Sequence, residues 1–168
     1  GKQLRSRGVT VPILILGASG EEAVEDLINF DITPSVFTYE FAKALSYEAE
    51  RKEKVTKIHI KIDTGMSRIG FLAGEDNEEI VDEIIKISKL PYIEIEGIFS
   101  HFATSDEYDK SYTLLQYGRF MDVCNRLEEK GLNIPIKHIC NSAGIMMYPE
   151  MHLDMVRPGV ILYGMYPS

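Results

Sequence analysis

The sequence has few cysteines, no excess of positive charge and no long apolar run, and each absence excludes a class of protein. The two cysteines, Cys124 and Cys140, lack metal-site spacing, so we expect no metal and a reducing compartment, the cytoplasm. Lysine and arginine total 18 against 26 aspartates and glutamates, a net charge of -8, which argues against a nucleic-acid partner. No run is long enough to span a bilayer, so we expect no membrane contact from this segment.

Internal repeats, low-complexity tracts and linkers are also missing, so residues 1–168 are expected to form part of one domain. The start of the chain imitates a signal peptide, because basic residues at positions 2–7 precede the apolar run Val9–Leu16. Pro12 interrupts that run, and residues 17–20 open a segment rich in glutamate. A buried strand followed by a helix is therefore the better interpretation.

The sequence does contain an alternation of strand-like and helix-like segments. Alternation of this kind predicts a parallel sheet covered by helices. The predicted strands are Val11–Leu16, Ser35–Tyr39, Lys57–Asp63, Ile93–His101, Ile136–Ser142 and Met155–Tyr163. The predicted helices are Glu21–Phe30, Glu40–Lys54, Asp76–Leu90 and Ser111–Lys130.

These units predict an α/β fold in one of two versions. A TIM (β/α)8 barrel has eight units and about 250 residues, so we expect an incomplete barrel from which roughly two units are missing. An open doubly wound sheet of six strands is the alternative. No Gly-x-Gly-x-x-Gly fingerprint of a dinucleotide site follows any strand.

One predicted strand, Lys57–Asp63, carries charge on a single face. Isoleucine occupies every second position and alternates with His59, Lys61 and Asp63. If the isoleucines face the helices, the ionisable side chains point inward, where an unpaired charge costs on the order of several kcal/mol. The trio is therefore a candidate functional site, and a salt-bridged lysine in an ordinary strand is the alternative.

Polar residues also gather where the predicted strands end. The residues in this position are Arg68, His101, Asn141, Ser142, Arg157 and Gly159. Barrel active sites lie at the C-terminal ends of the strands, so their shared position predicts a site there. An arginine on the first of these loops would suit a carboxylate or another anion.

Each of these residues also has a plainer explanation. Arg68 and Arg157 could be surface residues, and His101 a hydrogen-bonded histidine at a strand end. Ser142 could be the N-cap of a short helix at Ala143–Tyr148. Their convergence on one edge is harder to explain in this way than any one of them.

Four motifs together resemble the alanine racemases. They are Lys61–Phe71 (KIDTGMSRIGF), Ser100–Glu107 (SHFATSDE), Asn141–Ala143 (NSA) and Met155–Val160 (MVRPGV) followed by Leu162–Gly164 (LYG). The likeness covers essentially the whole chain. It implies pyridoxal 5'-phosphate (PLP) as the cofactor, on an N-terminal barrel followed by a C-terminal β domain, with this chain as roughly strands 3–8 of the barrel.

The resemblance assigns several polar residues to the cofactor. Arg157 would bond the pyridine nitrogen and, as a permanent cation, keep it unprotonated. His138, on the neighbouring strand, would support Arg157. Ser142 and the backbone of Gly159 and Val160 would hold the phosphate.

Other residues are implied to complete the site. His101 would stand beside the ring, Leu14 and Leu16 would form the floor, and Asn141 is grouped with the cofactor-binding residues. Arg68 would approach the phenolic oxygen of the cofactor and the substrate carboxylate. Lys61 matches a lysine that many relatives carry as a carbamate, an anion able to orient that arginine.

The resemblance also implies what lies outside this sequence. The lysine that binds the cofactor belongs to the first barrel strand, and a tyrosine from the C-terminal domain of the partner subunit is the opposite base. We therefore expect a homodimeric parent enzyme that converts L-alanine to D-alanine for the cell wall, and an inactive isolated chain.

Two other functions stay open. The parent protein could racemise serine, as do the racemase domains of glycopeptide-resistance systems, or it could bind PLP on a barrel without turnover. Basic amino-acid decarboxylases share the barrel, but the motifs around Lys61 and Arg157 favour a racemase.

Overall fold

The computed structural model describes residues 1–167, and within them it shows a parallel sheet with helices between the strands. The strands are β1 (Ser35–Val36), β2 (Thr56–Asp63), β3 (Phe71–Leu72), β4 (Ile93–Phe99) and β5 (Ile136–His138). The α-helices are α1 (Lys2–Ser6), α2 (Val24–Asn29), α3 (Tyr39–Arg51), α4 (Glu78–Ser88), α5 (Ser111–Glu129) and α6 (Ser142–Met147). Short 3-10 helices are Glu21–Ala23, Pro149–Met151 and Val160–Tyr163.

The order of the strands across the sheet follows their order in the chain. β2 lies between β1 and β4, β5 flanks β4, and the short β3 pairs with the end of β2. A bridge between Leu14 and Thr33 extends the sheet beyond β1. Sequential order without reversal is the winding of a barrel, whereas a doubly wound sheet reverses at its switch point. The described residues therefore form a barrel-type α/β sheet that is open at its edges.

The central strand β2 is buried on both faces. Its three isoleucines are fully buried in the main hydrophobic core. On the other face, His59, Lys61 and Asp63 are only 3%, 3% and 5% exposed. The alternation in the sequence therefore does place ionisable side chains in the interior.

The helices cover the sheet through regularly spaced apolar residues. α4 buries Val81, Ile84 and Ile87, and α5 buries Phe120 and Leu127 among others, at spacings of three, four and seven that share one helix face. None of the helices among residues 1–167 combines the length and the apolar character needed to cross a membrane.

The predicted strand Met155–Tyr163 is wrong. The backbone N–H of Arg157 still bonds to the carbonyl of Cys140, at 3.0 Å, beside the end of β5. Pro158 then offers no N–H for a ladder, and the 3-10 helix Val160–Tyr163 begins two residues later.

The predicted strand Lys57–Asp63 is confirmed as β2, whereas the other four predicted strands are shorter than expected. Val11–Leu16 is reduced to the bridge at Leu14, because Pro12 cannot donate to a partner strand. β1, β4 and β5 end at Val36, Phe99 and His138. The predicted site residues beyond those points consequently lie on loops, at the start of α6 or at the start of the 3-10 helix Val160–Tyr163.

Candidate active site at the ends of the strands

A cavity of about 630 Å³ lies where the strands end. Predicted site residues from widely separated parts of the chain line it together. They are Leu16, His101, Asn141, Ser142, Arg157, Gly159 and Val160. A cavity of this size suits a small organic ligand.

Arg157 sits at the centre of the polar groups beside this cavity. Its Nη2 donates to the carbonyl oxygens of Ser100 at 2.7 Å and Ile139 at 3.0 Å, and its Nη1 donates to Nδ1 of His138. Burial lowers the pKa of Arg157 to about 10, so the guanidinium is still a cation at neutral pH. Its Nε is buried and has no hydrogen-bond partner among residues 1–167, so one strong donor is left for a ligand.

A chain of two buried histidines extends from Arg157 away from the cavity. Arginine can only donate, so Nδ1 of His138 must accept and its proton must sit on Nε2. That Nε2 lies 2.9 Å from Nδ1 of His59, which therefore also accepts. Nε2 of His59 then faces the carboxylate of Glu96 at 3.6 Å. Burial first, and the charge of Arg157 second, lower the pKa of His138 to about 2, so the neutral form is maintained.

His101 is neutral for a similar reason. Burial and then the positive charges of Arg157, Arg68 and Lys61 lower its pKa to about 4. Nη2 of Arg157 lies 3.3 Å from Nδ1 of His101, where a proton on Nδ1 would face another donor, so the tautomer protonated on Nε2 is favoured. An uncharged donor at the lining of the cavity results.

The N-cap of α6 is Asn141, and not Ser142 as one explanation of the sequence suggested. Asn141 is the N-cap of α6, and its Oδ1 accepts from the backbone N–H of Gly144 at 2.9 Å. Ser142 is the first helical residue, and its Oγ accepts from the backbone N–H of Gly159 at 2.8 Å. The N-cap explanation for Ser142 is wrong because the extended backbone lies one residue earlier, and the hydroxyl instead joins the loop at Gly159 to this edge of the cavity.

Lys61 is a buried lysine without a carboxylate partner in the described part of the chain. Its Nζ donates to the carbonyl of Ile62 at 2.7 Å and lies 5.4 Å from the ring centroid of Phe99. Burial, opposed by the charge of Asp63, lowers its pKa to about 8. The salt-bridged strand lysine expected as the plainer alternative is therefore not what the structure shows.

Asp63 organises the loop that follows β2 rather than pairing with that lysine. Its carboxylate accepts from the backbone N–H groups of Gly65, Ser67 and Arg68 at 2.9, 3.0 and 3.0 Å. Burial alone would raise the pKa of this carboxyl, but these three bonds lower it below its usual value. The loop is therefore held in a fixed shape by a charge at the strand end.

Four of the predicted site residues, Arg68, His138, Leu14 and the Lys61 already described, lie outside the lining of the cavity. Arg68 is exposed and reaches the site through its charge, which contributes to lowering the pKa values of Lys61 and His101. His138 is fully buried behind Arg157, and Leu14 is partly buried at the sheet edge, two residues before Leu16.

Sequence reasoning missed Phe99 and the role of His59. The Phe99 ring stacks on His138 with centroids 4.7 Å apart and also lies 5.2 Å from the guanidinium carbon of Arg157. An apolar residue near a strand end gives no signal of this contact. The inward position predicted for His59 was the signal for its place in the histidine chain.

The geometry can be compared with known proteins. The model of the family "Alanine racemase, N-terminal domain" matches residues 1–167. The chain is 52% identical to an alanine racemase of Clostridium tetani and 49% identical to one of Methanococcus maripaludis, covering 99% of this chain and 42% and 44% of those proteins. A solved structure of alanine racemase from Clostridium difficile 630 in complex with cycloserine superimposes with a TM-score of 0.95 at 47% identity, covering 99% of this chain and 45% of that one.

This chain therefore spans less than half the length of the relatives it matches. The match runs through every motif of the site, from the charged strand to the loop at Gly159. The chain belongs to the alanine racemase family, and the family model that it matches is that of the N-terminal domain.

Proposed function

We propose that the protein to which this chain belongs interconverts L- and D-alanine with PLP as its cofactor. The observation that carries the proposal is the free Nε–H of Arg157 beside a cavity of about 630 Å³. Alanine racemases depend on PLP, whose pyridine nitrogen is an acceptor when it is unprotonated. The Arg157 guanidinium fits that acceptor, because it stays cationic and is already fixed by hydrogen bonds to Ser100, His138 and Ile139.

The remaining cofactor-binding roles follow from the same fit. Ser142 and the backbone of Gly159 and Val160 would hold the phosphate. The bond from the Gly159 N–H to Ser142 brings these groups together, and the phosphate would accept from that N–H in place of the serine. His101 would lie beside the ring as a neutral donor. Leu16 from the cavity lining, with Leu14 behind it, would form the floor. Asn141 would act through its cap on α6, which fixes the start of the segment carrying Ser142.

When bound, PLP withdraws electrons from the substrate Cα, so that a proton can leave one face and return to the other. Arg157 limits this withdrawal by keeping the ring nitrogen unprotonated, which suppresses side reactions. The lysine and the tyrosine that move the proton are not assigned to any residue of this chain. We propose that they come from the first barrel strand and from the C-terminal β domain of a partner subunit, with this chain as roughly strands 3–8.

Arg68 and Lys61 would serve the substrate side of the site. Arg68 would meet the phenolic oxygen of PLP and the substrate carboxylate. Lys61, with its pKa of about 8, offers enough neutral amine to form a carbamate with carbon dioxide, in which an N–C bond forms and one proton leaves. The product would be an anion close enough to act on Arg68, whose side chain makes no salt bridge in the described part of the chain. Mass spectrometry with carbon-13-labelled bicarbonate tests the modification.

The test of function uses the full-length protein with PLP. L-Alanine should yield D-alanine by chiral chromatography, and L-serine, assayed in parallel, should react more slowly. Faster turnover of serine would reassign the substrate to the serine-racemase alternative, and PLP binding without turnover of either amino acid would identify a non-catalytic barrel. The isolated chain should form no D-alanine above the background of free PLP.

We also propose that the full-length protein is a cytoplasmic homodimer whose D-alanine serves cell-wall synthesis. The support is the resemblance of the site to enzymes completed by a partner subunit. Sedimentation of the full-length protein should give twice the monomer mass, and a monomer with full activity would contradict the shared site.

A further inference from the structure

One face of helix α5 holds the two loops that carry Arg68 and His101. Tyr112, Gln116 and Arg119 lie at spacings of four and three and therefore share this face. Tyr112 donates from its hydroxyl to the carbonyl of Gly65 at 2.8 Å, and Arg119 donates to the carbonyl of Thr64 at 3.3 Å. Both bonds attach the loop after β2 to the helix.

Gln116 alone reaches both loops. Its Nε2 donates to the Thr64 hydroxyl at 3.3 Å and to the His101 carbonyl at 3.1 Å, while its Oε1 accepts from the backbone N–H of Ala103 at 2.8 Å. The side chain is fully buried. An amide that uses both of its N–H groups and its oxygen in this way fixes the spacing of the segments it joins.

The link continues into the candidate active site. The Thr64 hydroxyl lies 2.8 Å from that of Ser100 and, because it accepts from Gln116, its own hydrogen is available to Ser100. The carbonyl of Ser100 accepts from Arg157. Residues 64–68 are in turn held by the Asp63 carboxylate, so displacing Thr64 displaces the backbone that carries Arg68.

We propose that Gln116 is a positioning residue that fixes Arg68 and His101 relative to one another by joining residues 64–68 to residues 101–103. Its effect on substrate rests on the proposed function, because the carboxylate of the substrate is the group that Arg68 would meet. The joining of the two loops does not rest on it.

Hydrogen exchange in the full-length protein tests the joining without reference to activity. Gln116→Met keeps the size of the side chain and removes its hydrogen bonds, so the segments 64–68 and 101–103 should both exchange faster. Tyr112→Phe should affect only 64–68. Thr113→Val is the matched control, since Thr113 is fully buried on the same helix and its hydroxyl has no partner in the described chain. Unchanged exchange at either segment in Gln116→Met would overturn the proposal.

Propionate, a carboxylate of the size of alanine, tests the effect on Arg68. Gln116→Met should weaken propionate binding to the PLP-loaded protein about ten-fold, or 1.4 kcal/mol, with a smaller loss of PLP affinity, and Thr113→Val should change neither. In an Arg68→Ala background the same change should have little effect, because the two residues act as a unit. Full additivity, or a loss of PLP affinity equal to the loss for propionate, would refute positioning through Arg68.

A second variant and the wild-type activity distinguish a failure of this proposal from a failure of the proposed function. If Gln116→Met does not fold, Gln116→Leu also removes both donors and the acceptor with a side chain of similar size, and the same results are expected from it. If the variants show the expected differences in hydrogen exchange but the wild-type protein forms no D-alanine, the proposed function is contradicted. The joining of the two loops by Gln116 is then still supported.

Discussion

Arg157 is surrounded by groups that accept its protons, and none of them in the described chain neutralises its charge. Two backbone carbonyls and two neutral histidines face the guanidinium. A buried cation held by neutral acceptors is costly unless a ligand adds a further bond. This is the physical reason to place a ligand atom at Nε.

Replacing this residue gives the most direct prediction at the residue scale. Arg157→Glu would reverse the charge and allow the ring nitrogen to be protonated, so alanine turnover by the full-length protein should fall roughly 10- to 100-fold, the loss expected for a buried charge-assisted bond. Chiral chromatography measures the rate. Arg51→Glu, on an exposed arginine of α3, is the control, and equal rates in the two variants would contradict the assigned role.

The buried histidines predict how stability depends on pH. The pKa values of His101 and His138 are lowered to about 4 and about 2, in each case mainly by burial and then by Arg157. The unfolded chain takes up these protons near pH 6.5, whereas the folded chain does not. The free energy of unfolding should therefore be level between about pH 7.5 and 6.5 and fall as the pH drops from 6.5 towards 4, by at most about 1.4 kcal/mol per pH unit for each histidine.

Urea titrations of the full-length protein between pH 7.5 and 5 measure this slope. His138→Gln removes one of the two groups, so its slope should be shallower than that of the wild type. Identical slopes in the two proteins would show that this histidine does not resist protonation in the folded state.

At the scale of elements, the loop from β2 to β3 requires a glycine where it packs back against β2. Gly70 has a φ of +131°, and a Cβ there would lie 2.5 Å from the backbone nitrogen of Asp63. Gly70→Ala should therefore destabilise the full-length protein by about 1–3 kcal/mol and disturb the loop that carries Arg68. Gly74→Ala is the control, since its Cβ would meet nothing within 4 Å. Equal urea midpoints for the two variants would contradict this prediction.

Some of the strands and helix contacts could be predicted from the sequence, and others could not. The charged strand β2 was predictable because isoleucines alternate with ionisable residues along it. In a parallel sheet covered by helices, that alternation places the ionisable side chains in the interior. The strand expected at Met155–Tyr163 was not, because an apolar run does not reveal that Pro158 ends the pairing. Gln116 was missed because a polar residue on an amphipathic helix is expected to face water, and only the packed loops show that it is buried.

At the scale of the molecule, the sequence predicted that the site residues lie at one edge of the sheet. It did not predict which of them line the cavity and which lie behind it. Parallel strands put their C-terminal ends on one edge, which brings residues 16 to 160 to one cavity. Which side chains line that cavity and which lie behind it depends on tertiary packing. Arg68 and His138 show this, since both were predicted for the site and neither lines the cavity.

The central claim is that Arg157 donates to an unprotonated ring nitrogen of PLP in this cavity. Nitrogen-15 NMR of the full-length protein, loaded with PLP labelled at that nitrogen, measures its protonation state directly. The account predicts the chemical shift of an unprotonated, hydrogen-bonded pyridine across neutral pH, moving towards the protonated value in Arg157→Glu. A protonated nitrogen in the wild-type protein would contradict it.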